Sequence, residues 1–197
     1  MAQRAVVVGA GVGGLASAAL LGRGGYDVTV VEQNDFLGGR MRVFHKEGFT
    51  LDAGPSWYLM PEVFERFFGL FGKNSADYYR LRKLSPSYRA FFQDGRRFDI
   101  TDDGDHNAAV FDQLVPGGGG RLEEYLSVAA YKYRVAMEHF VYTDYRRLGQ
   151  FFNRRLMTEG IKLNVFRNLH RYVEGYFRSE AAQQIVEYPM VFLGTSP

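Results

Sequence analysis

The chain has 197 residues, of which 46% are hydrophobic and 23% are charged, a composition typical of a globular protein. The net charge of +2 is too small to indicate a polyanionic partner, and the absence of cysteine excludes disulfides, thiolate nucleophiles and cysteine-based metal sites. No apolar run is long enough to span a bilayer. The first strand pattern begins close to Met1 and leaves no room for a signal peptide, so we expect a cytoplasmic protein.

The opening stretch, residues 1–32, has the pattern of a strand, a helix and a second strand. Val6 to Val8 form a β-branched run, which is typical of a strand buried on both faces of a sheet. Glycines at the spacing GxGxxG follow this run, and an alanine- and leucine-rich helix follows the glycines. A second apolar strand is predicted from Asp27 to Val31. This order predicts an α/β fold that starts as a Rossmann-like βαβ unit.

The glycines and the acid after the second strand predict a dinucleotide site. Gly9 permits a tight turn, and Gly11 lets the backbone approach a pyrophosphate. Gly14 lets the helix pack closely on the strand, and the unpaired N–H groups of the helix N-terminus face the phosphates. Glu32 follows the second strand, roughly 20 residues on, where a carboxylate accepts a hydrogen bond from a ribose hydroxyl.

Two further motifs follow the acid and favour FAD over NAD, because in a nicotinamide-binding fold the acid would lead directly into another helix. Gly38 and Gly39 permit backbone close to a ligand, and Arg40 offers a fork of donors to phosphate or ribose oxygens. Residues 48–58 then alternate into a short strand that breaks at Gly54–Pro55. Glycine and proline together fix a backbone corner against which a flat ring can lie.

Together these motifs resemble the carotenoid desaturases of the phytoene desaturase type. The string Leu-Gly-Gly-Arg at 37–40 is shared with the larger flavoprotein group that includes the amine oxidases. The strings Asp-Ala-Gly-Pro-Ser-Trp at 52–57 and Phe-Leu-Gly-Thr-Ser-Pro at 192–197 are narrower and favour the desaturase branch. The resemblance extends over the whole chain.

The resemblance implies an FAD-dependent oxidoreductase of carotenoid biosynthesis, which takes a hydride from an allylic C–H bond of a long apolar polyene such as phytoene. It implies that the adenosine and pyrophosphate are held by Gly9, Gly11, Val12, Gly13, Gly14, Glu32, Gln33, Gly38, Gly39 and Arg40, and that Asp52, Gly54 and Pro55 lie near the flavin. The resemblance does not identify any residue of this chain as a catalytic base. The four histidines are isolated and lack ligand spacing, so we predict no metal site.

From Pro61 onward the pattern no longer resembles a nucleotide fold. We expect residues 1–60 to form the FAD-binding part and residues 61–197 to form an α+β region that contacts the substrate and the membrane. A helical apolar stripe begins this region and is either core or a wall of a substrate tunnel; it consists of Val63, Phe64, Phe67, Phe68 and Phe71. The pair Asp94–Gly95 predicts the turn of a hairpin between strands 88–92 and 96–100.

A basic amphipathic helix is predicted over residues 144–156. One face carries Tyr145, Leu148, Phe151, Phe152 and Leu156, and the other carries Arg146, Arg147 and Arg154. Aromatic residues beneath arginines suit a helix in a membrane interface, where the cations meet anionic headgroups, so we expect peripheral membrane association. The alternative is an ordinary amphipathic helix packed on its own domain. Nucleic acid is not an expected partner, because the basic residues lack a recognisable binding fold.

The number of predicted parallel strands limits what this chain can form alone. A doubly wound sheet needs several such strands, and the sequence predicts only two. We therefore expect an incomplete sheet, a chain that is the N-terminal portion of a longer enzyme, and a missing C-terminal half as partner. Two alternatives remain: a related flavin amine or porphyrinogen oxidase, and a non-catalytic fragment that binds membranes.

Overall fold

The structure, a computed structural model, describes residues 2–54, 57–144, 146 and 168–193. The chain divides into two compact units, Met1–Leu81 and Arg82–Pro197. The predicted functional division after residue 60 is not tested by this partition and stays a prediction. Apart from Asp144 and Arg146, the predicted basic helix lies outside the described residues, as does Pro55 of the predicted flavin site.

The first unit begins with the predicted βαβ arrangement. Strand β1 (Arg4–Val8) leads into helix α1 (Val12–Arg23), which leads into strand β2 (Asp27–Val31). The two strands are parallel and in register from Arg4 opposite Asp27 to Val8 opposite Val31. The Rossmann-like start is therefore confirmed, with two parallel strands within the described residues.

The prediction that the first strand is buried on both faces is wrong for this chain. Ala5 and Val7 are half-buried on the side of α1, whereas Val6 and Val8 are 67% and 86% exposed. Within the first unit, α1 packs against both strands from one face, and the described residues of this unit leave the face that carries Val6 and Val8 open. A β-branched run indicates that a strand is suited to burial on both faces, but it does not show whether a second element packs on it.

The rest of the first unit consists of short elements around a hairpin. A 3-10 turn (Gly39–Met41) precedes strands β3 (Val43–Lys46) and β4 (Phe49–Asp52), which pair antiparallel. Helix α2 (Pro61–Gly69) and a 3-10 turn (Ser75–Asp77) follow.

The predicted apolar stripe of α2 is half-buried among aromatic rings. The ring of Phe64 lies 4.8 Å from that of Tyr58, and the ring of Phe68 lies 4.9 Å from that of Tyr78. The ring of Phe67 lies 5.2 Å from that of Phe71, so the stripe also packs along its own length. These contacts are those of a packed aromatic cluster, and a wall of a substrate tunnel stays a prediction.

The second unit contains a closed hydrophobic core. Its elements are strands β5 (Tyr88–Phe91) and β6 (Arg97–Ile100), helices α3 (Gly104–Leu114), α4 (Gly118–Ala136), α5 (Leu169–Val173) and α6 (Glu180–Glu187), a π-turn (Met137–Val141) and a terminal 3-10 turn (Tyr188–Leu193). The core joins α3, α4, α5 and α6 with the segment after α5, through Val110, Phe111, Leu122, Val173, Phe177, Ala182 and Ile185.

The predicted hairpin of the second unit is confirmed. Strands β5 and β6 pair antiparallel from Tyr88 opposite Ile100 to Phe91 opposite Arg97. Gly95 has a φ of 84°, the left-handed conformation for which glycine is suited in a tight turn. Across the described ranges, no helix combines the length and the apolar character needed to cross a bilayer.

Candidate functional site: a dinucleotide-binding turn and an aromatic cleft

The turn between β1 and α1 is held by backbone contacts that require glycine. Gly9 has a φ of 98°, and its N–H donates to the carbonyl of Val31 at 2.7 Å. A Cβ on Gly14 would lie 1.9 Å from the carbonyl oxygen of Gly9, which no side chain can tolerate. The absent side chain of Gly14 therefore lets α1 approach the end of β1, as the spacing predicts.

The outer side of the same turn is open. A Cβ on Gly9, Gly11 or Gly13 would meet no atom within 4 Å, so these glycines border free space and not packed protein. Helix α1 begins at Val12 without a side-chain cap, and its first turn contains no acidic residue. The first N–H groups of a helix have no partner within it, and together with the helix dipole they favour an anion. The turn thus offers both the space and the donors that a pyrophosphate needs.

Glu32 lies beside this turn and is held in an ionised state. Its Oε2 accepts a hydrogen bond from the N–H of Ala10 at 2.8 Å, and its Oε1 accepts from the side-chain amide of Asn34 at 2.8 Å. The Ala10 hydrogen bond, followed by those from Asn34, lowers the pKa of Glu32 below its ordinary value. Oε1 also accepts from the backbone N–H of Asn34 at 3.1 Å, so the second lone pair of Oε2 remains for a ribose hydroxyl. The neighbouring Gln33 is exposed.

The second glycine motif lies directly against the first. The N–H of Gly38 donates to the carbonyl of Ala10 at 2.9 Å, and Gly38 forms a parallel bridge with Gly11. A Cβ on Gly39 would lie 3.2 Å from the Cα of Gly11, so the two motifs are in backbone contact. Arg40 is exposed, and no described side chain or carbonyl pairs with its guanidinium. The structure therefore brings both phosphate-directed motifs to one place.

The third motif packs on the second. Asp52 ends β4 and is exposed, and the N–H of Ala53 donates to the carbonyl of Arg42 at 2.9 Å. A Cβ on Gly54 would lie 2.0 Å from the carbonyl oxygen of Arg40, so glycine is required for this approach. Gly54 is thus in close backbone contact with the Gly-Gly-Arg segment. The corner predicted at Gly54–Pro55 stays a prediction, because Pro55 lies outside the described residues.

A cleft of about 370 Å³ opens beside this third motif, a volume within the range of small-ligand pockets. It is lined by Met41, Arg42, Asp52, Gly54, Trp57, Tyr58, Leu59 and Phe64. The hydroxyls of Tyr58 and Tyr79 are hydrogen-bonded to each other, and burial raises the pKa of Tyr58. Rings and apolar side chains dominate the lining, which suits a flat, largely apolar group.

Sequence reasoning missed Arg42. Its guanidinium lies 4.7 Å from the ring centroids of both Phe36 and Phe44, and it belongs to none of the three motifs. One signal was present in the sequence: Arg42 has extended backbone and directly precedes β3, and residues two apart in an extended segment share a face, which puts Arg42 beside Phe44 once β3 is recognised.

The predicted cofactor residues that the structure describes all lie in the first unit. Those of the glycine turn, Glu32 and the Gly-Gly-Arg segment are in direct backbone or side-chain contact, and Gly54 joins them through Arg40. Their roles toward a ligand stay predictions. Pro55 lies outside the described residues.

Comparison with known proteins agrees with the motifs. Residues 12–193 match the family described as flavin containing amine oxidoreductase. The chain is 46% identical to a carotenoid 3,4-desaturase of Haloarcula japonica over 97% of its own length and 39% of the relative's. It is 32% identical to a 4,4'-diapophytoene desaturase of Staphylococcus aureus strain Newman, over 99% of its own length and 39% of the relative's. The resemblance to carotenoid desaturases is thereby confirmed.

A solved structure shows the same fold. A variant of putrescine oxidase, redesigned for cofactor binding, superposes with a TM-score of 0.51 at 18% sequence identity. The superposition covers 94% of this chain and 36% of the oxidase. The chain therefore spans well under half the length of each of these three proteins.

Proposed function

Because this chain belongs to the flavin containing amine oxidoreductase family, we propose that it carries the FAD-binding part of an oxidoreductase that desaturates a carotenoid. The observation that carries the proposal is the contact of three separate motifs in one unit: Gly38 bridges to Gly11, and Gly54 packs on Arg40. The similarity to two carotenoid desaturases along nearly the whole chain supports the substrate class.

The residues of the first unit fit FAD. The open cradle over Gly11 and Gly13 and the uncapped start of α1 would hold the pyrophosphate, with Arg40 adding a cation. Glu32 would accept from the ribose hydroxyls of the adenosine. The aromatic cleft that begins at Gly54 and Trp57 would receive the flat ring.

FAD, when bound, supplies a hydride acceptor for an allylic C–H bond, and loss of a proton from the substrate then completes a new C=C bond. The chain's own contribution is to bind and orient. Glu32 fixes the adenosine end, and the apolar lining around Tyr58 and Phe64 excludes water from the ring end. The proposed substrate is a long apolar polyene, in line with the similarity to carotenoid desaturases.

A reaction assay tests this proposal. The protein is mixed with FAD, an artificial electron acceptor and vesicles that contain phytoene. The polyene is then analysed by chromatography and absorption. Desaturation lengthens the conjugated system, so absorption is expected to move to longer wavelengths only in the presence of FAD. Oxidation of amines or porphyrinogens without any change in the polyene would contradict the proposal and favour the related oxidases.

We also propose that the protein binds membranes peripherally through the basic segment. The residues involved are Tyr145, Leu148, Phe151, Phe152, Arg146, Arg147 and Arg154, of which the structure describes Arg146. Arg146 is exposed, and its Nε pairs with Asp144 at 2.6 Å. Support comes from the sequence pattern and from the insolubility of a polyene, which has to be drawn from lipid.

Vesicle flotation tests the membrane proposal. Binding is expected to anionic vesicles at low salt, with a decrease at high salt because exposed charges are then screened. The double variant Arg147→Gln/Arg154→Gln is expected to float less. A double variant at Arg80 and Arg82, outside the segment, serves as the charge-matched control. Equal flotation of both variants and the wild type would exclude this segment as the contact.

A further inference from the structure

The environment of Arg42 is unusual for an arginine beside a cleft. Phe36 and Phe44 each place a ring centroid 4.7 Å from its guanidinium carbon. Stacking of this kind holds a guanidinium by cation–π attraction and leaves the donors on its edge. Arg42 is therefore a cation of fixed orientation and not a freely moving surface side chain.

The donors on the edge of this guanidinium are largely unused. Nε is buried and has no hydrogen-bond partner, and Nη1 makes only a long contact of 3.5 Å with the carbonyl of Gly39. Within the described chain, no carboxylate forms an ion pair with Arg42, although Asp52 lines the same cleft. A buried donor without an acceptor is unfavourable by about 1–3 kcal/mol, so such groups in a folded protein call for a partner.

The cleft indicates what kind of partner this is. Arg42 forms part of its wall, together with the aromatic side chains of Trp57, Tyr58 and Phe64. A phosphate would meet mainly apolar groups there, whereas a flat heteroaromatic ring with carbonyl oxygens on one edge would stack on the apolar wall and accept from the guanidinium. The chemistry that fits is an electron-poor ring with a polar edge.

We propose that Arg42 binds the carbonyl edge of the flavin ring and raises the reduction potential of the bound flavin. The inference rests on the proposed FAD-binding function. Reduction by two electrons and one proton leaves negative charge on the pyrimidine part of the ring. A fixed cation at that edge stabilises the reduced form more than the oxidised form, and charge near this part of a flavin is a recognised means of tuning it. Arg42 then contacts the cofactor directly.

Three variants of the 197-residue chain test the role of Arg42. In Arg42→Gln a planar amide can still lie between the two rings, but the charge is lost. In Arg42→Lys the charge is kept and the planar fork is lost. Arg23→Met is the matched control, because the Arg23 guanidinium lies over Phe71, 5.7 Å from the ring centroid, and does not line the cleft.

Two measurements are made on each variant: titration with FAD and with ADP, and redox titration of the bound flavin with dithionite. Arg42→Gln is expected to weaken FAD binding roughly tenfold, the loss of one charge-assisted hydrogen bond, and to leave ADP binding unchanged. Its flavin potential is expected to fall by about 30 mV for each tenfold loss of preference for the reduced form. Arg42→Lys is expected to retain most of the potential, and Arg23→Met all of it.

The outcomes separate this inference from the function on which it rests. A wild-type chain that binds neither FAD nor ADP contradicts the proposed function and the inference with it. A wild-type chain that binds FAD, with an unchanged potential and FAD affinity in Arg42→Gln, overturns the inference alone. Equal losses of FAD and ADP affinity in Arg42→Gln, with a lower melting temperature, would show a purely structural role. If Arg42→Gln does not fold, a fourth variant, Arg42→Met, removes the charge in its place, and a flavin potential and FAD affinity equal to those of the wild type in Arg42→Met overturn the inference.

Discussion

The two compact units differ in how they are stabilised. In the second unit, rings and aliphatic side chains from four helices and from the segment after α5 form a core in which Phe111 and Phe177 are 1% and 0% exposed. Among the described residues of the first unit, only Ala10 and Ser75 are buried. The strand residues Val6 and Val8 remain exposed to solvent. The first unit is defined instead by backbone contacts between glycine motifs.

The two units differ in what their residues contribute: open space for the proposed ligand in the first unit, and apolar burial in the second. Glycine at positions 9, 11 and 13 leaves space that a side chain would fill, which suits a ligand and contributes no apolar burial. The second unit gains stability from burial, at about 25 cal/mol per Å² of apolar surface. Substitutions should therefore act mainly on stability in the second unit and mainly on cofactor binding in the first.

The largest expected effect on stability is in the core of the second unit. Phe177→Ala removes a ring that lies 5.2 Å from Phe111 and should lower the free energy of unfolding by about 3–5 kcal/mol. Urea unfolding, followed by circular dichroism, measures this change in the free energy of unfolding. Phe91→Ala is the control, since Phe91 is 69% exposed and should change stability by no more than about 0.5 kcal/mol. Equal effects of the two substitutions would contradict the closed core.

The next effect tests the close approach in the glycine turn. Gly14→Ala places a Cβ 1.9 Å from the carbonyl of Gly9, so α1 has to move away from β1. We expect destabilisation of about 1–3 kcal/mol and loss of measurable FAD binding. Gly22→Ala, in the same helix with no atom within 4 Å, should leave FAD binding intact and stabilise by up to about 1 kcal/mol. Isothermal titration and thermal melts report both quantities.

Glu32 provides a smaller effect with a defined pH dependence. Glu32→Gln should weaken FAD binding roughly tenfold, because a neutral amide accepts a weaker hydrogen bond from a ribose hydroxyl. The pKa of Glu32 is lowered, chiefly by its hydrogen bond from Ala10, so its contribution is fully present above the ordinary value of about 4.5. The contribution is lost as the pH falls through the lowered pKa.

Titrations of FAD between pH 7 and pH 4 test this pH dependence. Wild-type affinity should be constant above about pH 4.5 and should approach that of Glu32→Gln only at lower pH. A wild-type affinity that declines between pH 7 and pH 5 would mean that another group controls binding. The variant itself should show no step in this range.

An effect of similar size, on stability alone, concerns the hairpin of the second unit. Gly95→Ala forces an alanine into a φ of 84° and should destabilise by about 1–2 kcal/mol. Gly120→Ala, within α4 and with open space around its Cβ, should stabilise by up to about 1 kcal/mol. Opposite signs in thermal melts are expected, and destabilisation of both to the same degree would contradict the turn conformation at Gly95.

Sequence reasoning succeeded where a local rule fixes the geometry. The spacing from Gly9 to Glu32 corresponds to a strand, a turn and a helix of standard dimensions, and the structure places the Glu32 carboxylate on Ala10. The Asp94–Gly95 turn is equally local, and both hairpin strands follow from it.

Sequence reasoning failed where distant parts of the chain decide the outcome. The exposure of Val6 and Val8 depends on whether other elements cover the sheet, which a β-branched run cannot reveal. The role inferred for Arg42 depends on its contacts with the rings of both Phe36 and Phe44 and on a donor left without an acceptor. The contact of Gly54 with Arg40 is likewise tertiary, although the sequence predicted a corner there.

We propose that the first unit forms the dinucleotide half of an FAD site from motifs in mutual contact. The most direct measurement is a titration of the purified 197-residue chain with FAD, followed by competition with ADP. We expect saturable binding of FAD at one site, displacement by ADP, and loss of both in Gly14→Ala but not in Gly22→Ala. Absence of saturable binding, or binding that ADP does not displace, would contradict it.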